Sequence, residues 1–234
     1  MFKYNNITEV FDLLNHNNIS YLVLRNYENL LEPEMYIDGH GDVDLLCADS
    51  QEIVRVLDAQ TNRKDQWPYR GDGIHYYIFV AGERVSLDLR YVGDDYYCKE
   101  WEEYLLRNRI VHNSFYVMDE KSYFFTLIYH AILQKPYLAE EYLSRLSIMA
   151  EKLGIVLSNY SEISFIAILN TYMRENGYCY TYPVDYIVPV RFHLVDQNLV
   201  KMNHKRWFRH KHYMSKIKTI EILVWLKHKL QGRR

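Results

Sequence analysis

Cysteine is scarce in this chain. Cys47, Cys98 and Cys179 are the only three in 234 residues, widely spaced and without a C-x-x-C pair. An odd, scattered set argues against both a disulfide framework and a zinc knuckle, and fits a reducing compartment. Long apolar runs are lacking too. No stretch approaches the roughly 20 apolar residues of a membrane span. The opening residues, Met1-Phe2-Lys3-Tyr4-Asn5-Asn6, lack the apolar run of a secretory signal. These absences place the protein in the cytoplasm. Neither internal repeats nor low-complexity tracts stand out, so repeat architectures drop away.

What is present is enough to build a core. The chain is 49% hydrophobic and 25% charged, which supports one α/β domain with a helical extension and argues against disorder. Its 23 tyrosines suit half-buried strands and helix faces, where the ring packs and the hydroxyl finds a partner. The net charge of -2 conceals an asymmetry: residues 201–234 hold eleven Lys or Arg against one acid, Glu221, so the body carries about -12. An acidic body bears a basic tail.

Local patterns divide the chain further. Asn6 followed by Glu9 reads as an N-cap and capping box for a helix whose apolar face holds Val10, Phe11, Leu13 and Leu14, ending near Asn17-Asn18. Short apolar runs at 21–24 and 42–47 read as strands, separated by a polar loop with Pro33, Gly39 and Gly41. Ser50 is the expected N-cap of a helix to about Leu57, and residues 61–73, including the turn Arg70-Gly71-Asp72-Gly73, read as loop. Strands at 75–80 and 84–90 join through Ala81-Gly82-Glu83, where Gly82 can supply a positive φ. Helices are expected at 98–107, 120–134, 139–152, 161–175 and 215–230, with a short strand at 114–117 and an extended segment at 180–190. The expected organisation is an α/β core over 1–95, a helical domain over 96–200, and a basic amphipathic segment over 201–234.

The acids supply the chemistry. Strand side chains alternate, so Asp42 and Asp44 share a face while Val43 and Leu45 point to the core. On the later strand Val85, Leu87 and Leu89 form one face, and Ser86, Asp88 and Arg90 the other. If the two strands are neighbours, three carboxylates converge. Such a group repels itself unless a cation sits within it, and hard oxygen donors suit Mg²⁺, with two ions possible. Two-metal phosphoryl or nucleotidyl transfer uses such a site to hold a triphosphate and acidify an attacking hydroxyl.

The segments Gly41-Asp42-Val43-Asp44-Leu45-Leu46 and Val85-Ser86-Leu87-Asp88-Leu89-Arg90 resemble the DNA polymerase beta-like nucleotidyltransferase superfamily. Leu22-Val23-Leu24-Arg25-Asn26, followed by the paired-acid segment, looks like the nucleotidyltransferase-like proteins associated with bacterial surface-polysaccharide genes. The run from Tyr123 to Ala131 resembles the helix that follows the core in that group. The resemblance covers roughly residues 7–136. It implies an α+β fold, with a nucleotidyltransferase-type mixed sheet and flanking helices followed by a helical C-terminal half. It also implies catalytic and metal-binding roles for Asp42, Asp44 and Asp88, and substrate-binding roles for Arg25, Asn26 and Arg90. The implied reaction moves a nucleotidyl or phosphoryl group from a nucleoside triphosphate or activated donor to a sugar, sugar phosphate or glycan hydroxyl. One departure stands out: where typical members carry a Gly-Ser phosphate cradle, this chain has Arg25-Asn26. Arg25 either grips a phosphate in its place or pairs with a nearby acid. The rival reading is a catalytically inactive binding or regulatory protein of the same fold.

Other groups read as structural. His130 belongs to an apolar helix with Phe125 and Leu133 and suits a hydrogen-bonded core position. Asp94-Asp95 suits an N-cap before the helix containing Trp101, while Lys135 and Arg145 are cations of the helical half that could approach a phosphate. From His204 to His212 cations interleave with Trp207 and Phe208, a composition that reads either as a solvated basic surface beside an ordinary packed helix or as a contact for an anionic membrane surface or glycan, and less as one for nucleic acid. That adds a third reading, an adaptor peripheral to the inner membrane surface.

Overall fold

A computed structural model describes residues 3–32, 42–61 and 74–231 of the chain. Gly41 and the Arg70-Gly71-Asp72-Gly73 turn lie outside the described residues. The first helix, α1 (Ile7–His16), is capped by the Asn6 side chain, which accepts the Glu9 N–H at 3.1 Å. The Glu9 carboxylate closes on Asn5, accepting its backbone N–H at 2.9 Å, one residue earlier than a capping box would place it. Ile7, Val10, Phe11 and Leu14 form its buried face.

The strands β1 (Tyr21–Val23) and β2 (Asp42–Cys47) pair antiparallel. Helix α2 (Ser50–Leu57) begins one residue earlier than a Ser50 cap implies: Asp49 is its N-cap and accepts the Gln51 N–H at 2.8 Å, a role its carboxylate fills with the help of the helix dipole. The short β3 (Gln60–Thr61) leads toward β4 (His75–Val80), which forms a hairpin with β5 (Glu83–Tyr91). Both turn residues, Ala81 and Gly82, have positive φ, as a two-residue hairpin turn matching the strand twist requires. Next come α3 (Lys99–Arg107), β6 (Ile110–His112) and β7 (Phe115–Val117).

These strands form one mixed sheet in the order β3-β4-β5-β2-β1-β7-β6. The sheet therefore runs past residue 95, because β7 pairs parallel with β1 through Val23 and Val117. Strand β6 has no counterpart among the sequence-level expectations; as an edge strand with exposed Ile110 and Val111 it lacks the alternation that marks a half-buried strand.

The second half is helical, as expected. Helix α4 (Glu120–Ile128) runs on into a π-helical turn at Tyr129–Leu133, followed by α5 (Glu140–Lys152) and α6 (Glu162–Glu175). The 180–190 segment is extended only at β8 (Tyr180–Thr181), which pairs parallel with β9 (Val200–Lys201). Pro183 and Pro189 lack the N–H groups a longer ladder needs. The last helix, α7 (His204–Gln231), starts eleven residues before the expected position. Its basic first turns dock on the body: Arg206 pairs with Asp95, His210 Nδ1 lies 3.2 Å from the Tyr186 carbonyl, and the Tyr213 ring packs edge-on against Tyr186. Beyond them Ile222, Leu223 and Trp225 are exposed. Among the described residues no helix is long and apolar enough to cross a membrane.

Alternation along the strands sorts two cores onto the two faces of the sheet. Tyr21, Val23, Val43, Leu45, Val85, Leu87 and Leu89 pack with α1 and α2. Leu22, Leu24 and Leu46 pack with Trp101, Phe124, Ile128, Leu146 and Phe165 of the helical half. The acid-bearing face is the second one, so the helical half rises directly over it.

Candidate active site

Strands β2 and β5 are parallel neighbours, with Asp44 aligned to Asp88 and Asp42 to Ser86. All three acids therefore share the sheet face that meets the helical half. Asp42 is exposed at the start of β2, but Asp44 is only 6% exposed rather than lying on an open edge, because the helical half covers it.

Arg25 follows β1 directly. The Leu24 N–H donates to the Asp44 carbonyl at 2.9 Å, extending the ladder so that Arg25 departs beside Asp44. Its Nε lies 3.0 Å from Asp44 Oδ2, and its Nη1 donates to the Tyr96 hydroxyl at 2.9 Å. Of the two roles open to Arg25, the structure displays the acid pair. The Asp44 charge and the Tyr96 hydroxyl hold its guanidinium pKa well above the ordinary value against the opposing effect of burial.

Asn26 takes the left-handed conformation, φ 56°, which Asn tolerates better than most residues. Its Oδ1 accepts from Arg145 Nη1 at 3.3 Å. Arg145 also pairs with Glu28 and donates to the Tyr123 hydroxyl, tying the loop after β1 to the helical half.

Arg90 is buried, with Nη2 3.0 Å from Asp185 Oδ2 and its guanidinium 4.5 Å from the Tyr96 ring centre. Its Nε and Nη1 are buried without a hydrogen-bond partner among the described residues. His75, aligned with Asp88 across the hairpin, places Nε2 3.7 Å from Asp88 Oδ1 and 3.8 Å from Asp185 Oδ2. The helical half adds His130, carried on the π turn, whose Nδ1 lies 3.1 Å from Gln134 Oε1 and 3.5 Å from the Tyr96 hydroxyl. Desolvation, then the positive charge of Arg25, hold His130 well below its ordinary pKa and keep it neutral.

Burial is the largest influence on Asp88 and raises it to about 6, with His75 opposing and Asp44 adding repulsion. Asp42 shifts up as well, through desolvation and then Asp44, with Arg25 and Lys135 opposing. Lys135 is thus close enough to act on the site's rim. Four carboxylates, Asp42, Asp44, Asp88 and Asp185, face two guanidiniums, Arg25 and Arg90. That negative balance and the oxygen donors fit a hard divalent cation. The side chains are not gathered around one: among the described residues no three His, Cys, Asp or Glu side chains form a metal-holding group, and a guanidinium stands on Asp44.

No model of a known protein family matches the chain, and no curated protein matches it. Among solved structures there is a weak likeness to the antibiotic-resistance factor ANT(2'')-Ia, a nucleotidyltransferase. The TM-score is 0.39 at 10% identity, covering 73% of this chain and 90% of that one. A likeness this slight carries no argument about activity. The functional reading rests on the residues themselves.

Three participants escaped the sequence-level reading. His75 was missed because an Ala81-Gly82-Glu83 connection sets it opposite Leu89, whereas the observed two-residue turn, with Val80 opposite Glu83, sets it opposite Asp88. Tyr96 and Asp185 left no signal, because only tertiary packing brings them to the strands.

Proposed function

We propose that the protein is a Mg²⁺-dependent transferase. It moves a nucleotidyl or related phosphoryl group from a nucleoside triphosphate or activated donor to a sugar, sugar phosphate or glycan hydroxyl, in surface-polysaccharide metabolism. The observation that carries this reading is the alignment of Asp44 with Asp88 across parallel β2 and β5, with Asp42 on the same face. Asp42, Asp44 and Asp88 would hold the metal, which when bound supplies Lewis-acid charge to the transferring phosphoryl oxygens and acidifies the acceptor hydroxyl. Arg25 and Arg90 supply cationic donors to the donor's phosphates. The two unpartnered nitrogens of Arg90 are N–H groups that a bound anion would satisfy. The helical half roofs this face and limits water, strengthening each electrostatic contact beneath it.

The catalytically inactive alternative draws on a different observation, the Arg25–Asp44 pair at 3.0 Å, which occupies one of the proposed metal ligands. In either case the basic α7, with Phe208 and Trp225 exposed, suits a peripheral position at an anionic membrane surface.

Titration calorimetry with Mg²⁺ and each nucleoside triphosphate tests the enzyme reading. Mg²⁺-dependent nucleotide binding is expected in the wild type. Asp44→Asn should weaken it by more than about 100-fold, beyond the loss of an outer-shell partner. A wild type that binds no nucleotide, or an Asp44→Asn protein that binds unchanged, would sink it.

A further inference from the structure

Sequence spacing keeps the three cysteines apart, but folding brings two of them together. Residues 94–98 and 179–184 run alongside one another. The Cys179 N–H donates to Cys98 Sγ at 3.4 Å, the Thr181 hydroxyl to the Asp95 carbonyl at 3.2 Å, and the Val184 N–H to the Asp94 carbonyl at 2.7 Å. Cys98 is the N-cap residue of α3 and is buried beside Trp101 and Tyr97. Cys179 is only partly buried, so it is the member of the pair that solvent reaches. Cys47 stands apart on the opposite face of the sheet, fully buried, with its thiol donating to the Arg90 carbonyl at 3.1 Å.

We propose that Cys98 and Cys179 form a redox-active dithiol that closes to an intramolecular disulfide on reaction with a peroxide. Its two members differ in the way such a pair requires. The neighbouring Cys98 thiol lowers the Cys179 pKa, and Lys201 lowers it further against the effect of burial. Lys201 is held there by β8 and β9, which align it with Thr181. The same proximity to Cys179, with burial, pushes Cys98 up. Cys179 is therefore the attacking thiolate and Cys98 the resolving thiol.

In the first step Cys179 Sγ attacks a peroxide oxygen. An S–O bond forms, the O–O bond breaks, and the departing oxygen leaves as water or an alcohol after taking a proton. Cys179 is then a sulfenic acid. In the second step Cys98 Sγ loses its proton and attacks Cys179 Sγ. The S–S bond forms, the S–O bond breaks, and hydroxide leaves with that proton as water. Two thiols are oxidised and one peroxide is reduced.

The consequence reaches the candidate site without depending on its chemistry. The segment that begins at Cys179 ends at Asp185, which pairs with Arg90 and His75. Its neighbour contains Tyr96, the hydroxyl partner of Arg25. A cross-link between residues 81 apart in sequence would fix one to the other.

The test exposes the full native chain to a small excess of hydrogen peroxide, then counts thiols after denaturation and maps linkages by non-reducing digestion and mass spectrometry. The count is expected to fall from three to one, with Cys98 linked to Cys179, Cys47 still reduced, and recovery to three with dithiothreitol. Cys98→Ser should instead accumulate a Cys179 sulfenic acid trappable by dimedone, and Cys179→Ser should leave Cys98 unoxidised. The wild-type map needs no variant to fold, and a urea-unfolded control should lose the 98–179 preference. Three persisting thiols, a link between two chains, or wild-type Cys179 stalled as sulfenic or sulfinic acid would overturn the proposal.

Discussion

Two groups of buried acids lie a few residues apart in this fold, and they are neutralised in opposite ways. Asp44, Asp88 and Asp185 are matched by basic side chains, with Arg25 on Asp44, Arg90 on Asp185, and the His75 imidazole between Asp88 and Asp185. Asp94 and Glu102, both fully buried, are bonded to each other and to backbone N–H groups. Gly93 and Tyr97 donate to Glu102 at 2.7 and 3.1 Å, and Tyr96 donates to Asp94 at 2.7 Å. That arrangement also corrects the expected cap: Asp94 turns inward to organise the loop before α3 instead of capping the helix, and Asp95 pairs with Arg206. A proton shared between two carboxyls forms a closed unit with no partner to exchange. An acid held by a guanidinium can trade that cation for a metal, and the guanidinium can trade its acid for a phosphate. The difference separates structural acids from acids available for chemistry.

The largest expected effect comes from breaking the side-chain cation group. Asp185→Ala leaves Arg90 charged, buried and without its nearest counter-ion. Removing one member of a buried pair costs about 3–5 kcal/mol. Urea unfolding monitored by circular dichroism should show a loss of this size. A loss below about 1 kcal/mol would mean that neighbouring acids already compensate Arg90, and the two groups would then be more alike than their contacts suggest.

Next in size is the pH response of the closed pair. Burial, then repulsion from Asp94, raises Glu102 from 4.5 to about 10, and burial raises Asp94 too. Between these values the folded chain holds a proton that the unfolded chain has released. Its stabilising contribution is therefore complete below about pH 4.5 and declines as the pH rises toward 10. One such proton is worth about 1.4 kcal/mol per pH unit, so wild-type stability should fall by about 2–3 kcal/mol between pH 6 and 8. Glu102→Gln, which keeps the donor without a titration, should flatten that decline. Parallel curves for the two proteins would remove the shared proton from the account.

How far the sequence discloses these two groups follows from the range of the forces involved. Alternation about Val43 and Val85 set Asp42, Asp44 and Asp88 on their faces, since it is local, while the hairpin turn is one residue shorter than the expected Ala81-Gly82-Glu83 connection because Glu83 already pairs with Val80. The parallel pairing of β2 with β5 needed only adjacency. Arg90 to Asp185 spans 95 residues and Cys98 to Cys179 spans 81, and no periodicity links positions so far apart. Asp94 read as a helix cap because Asp before a helix usually is one. Its partner Glu102 lies on the helix itself, and their joint burial exists only once Trp101 and Leu105 pack. The early start of α7 was hidden for the same reason: its first turns are fixed by Asp95 and Tyr186, not by an apolar stripe of their own.

The smallest effect, and the one that most sharpens the comparison, is in Arg25. If its guanidinium occupies Asp44 in exchange for a ligand, then Arg25→Ala should bind Mg²⁺ more tightly than wild type when no nucleotide is present, by about tenfold or roughly 1.4 kcal/mol. Mg²⁺ should accordingly raise the melting midpoint of the variant more than that of the wild type, because a ligand at free concentration c that binds only the folded state stabilises it by RT ln(1 + c/Kd), which grows as Kd falls. With a nucleoside triphosphate added the sign should reverse, since the variant has lost a phosphate-binding cation while keeping the acids. A single residue would then oppose the metal alone and favour the metal with nucleotide, which a purely structural arginine does not do. If Arg25→Ala instead loses Mg²⁺ binding in both conditions, the guanidinium is a fixed support for Asp44, and that acid belongs with Asp94 and Glu102 among the structural ones.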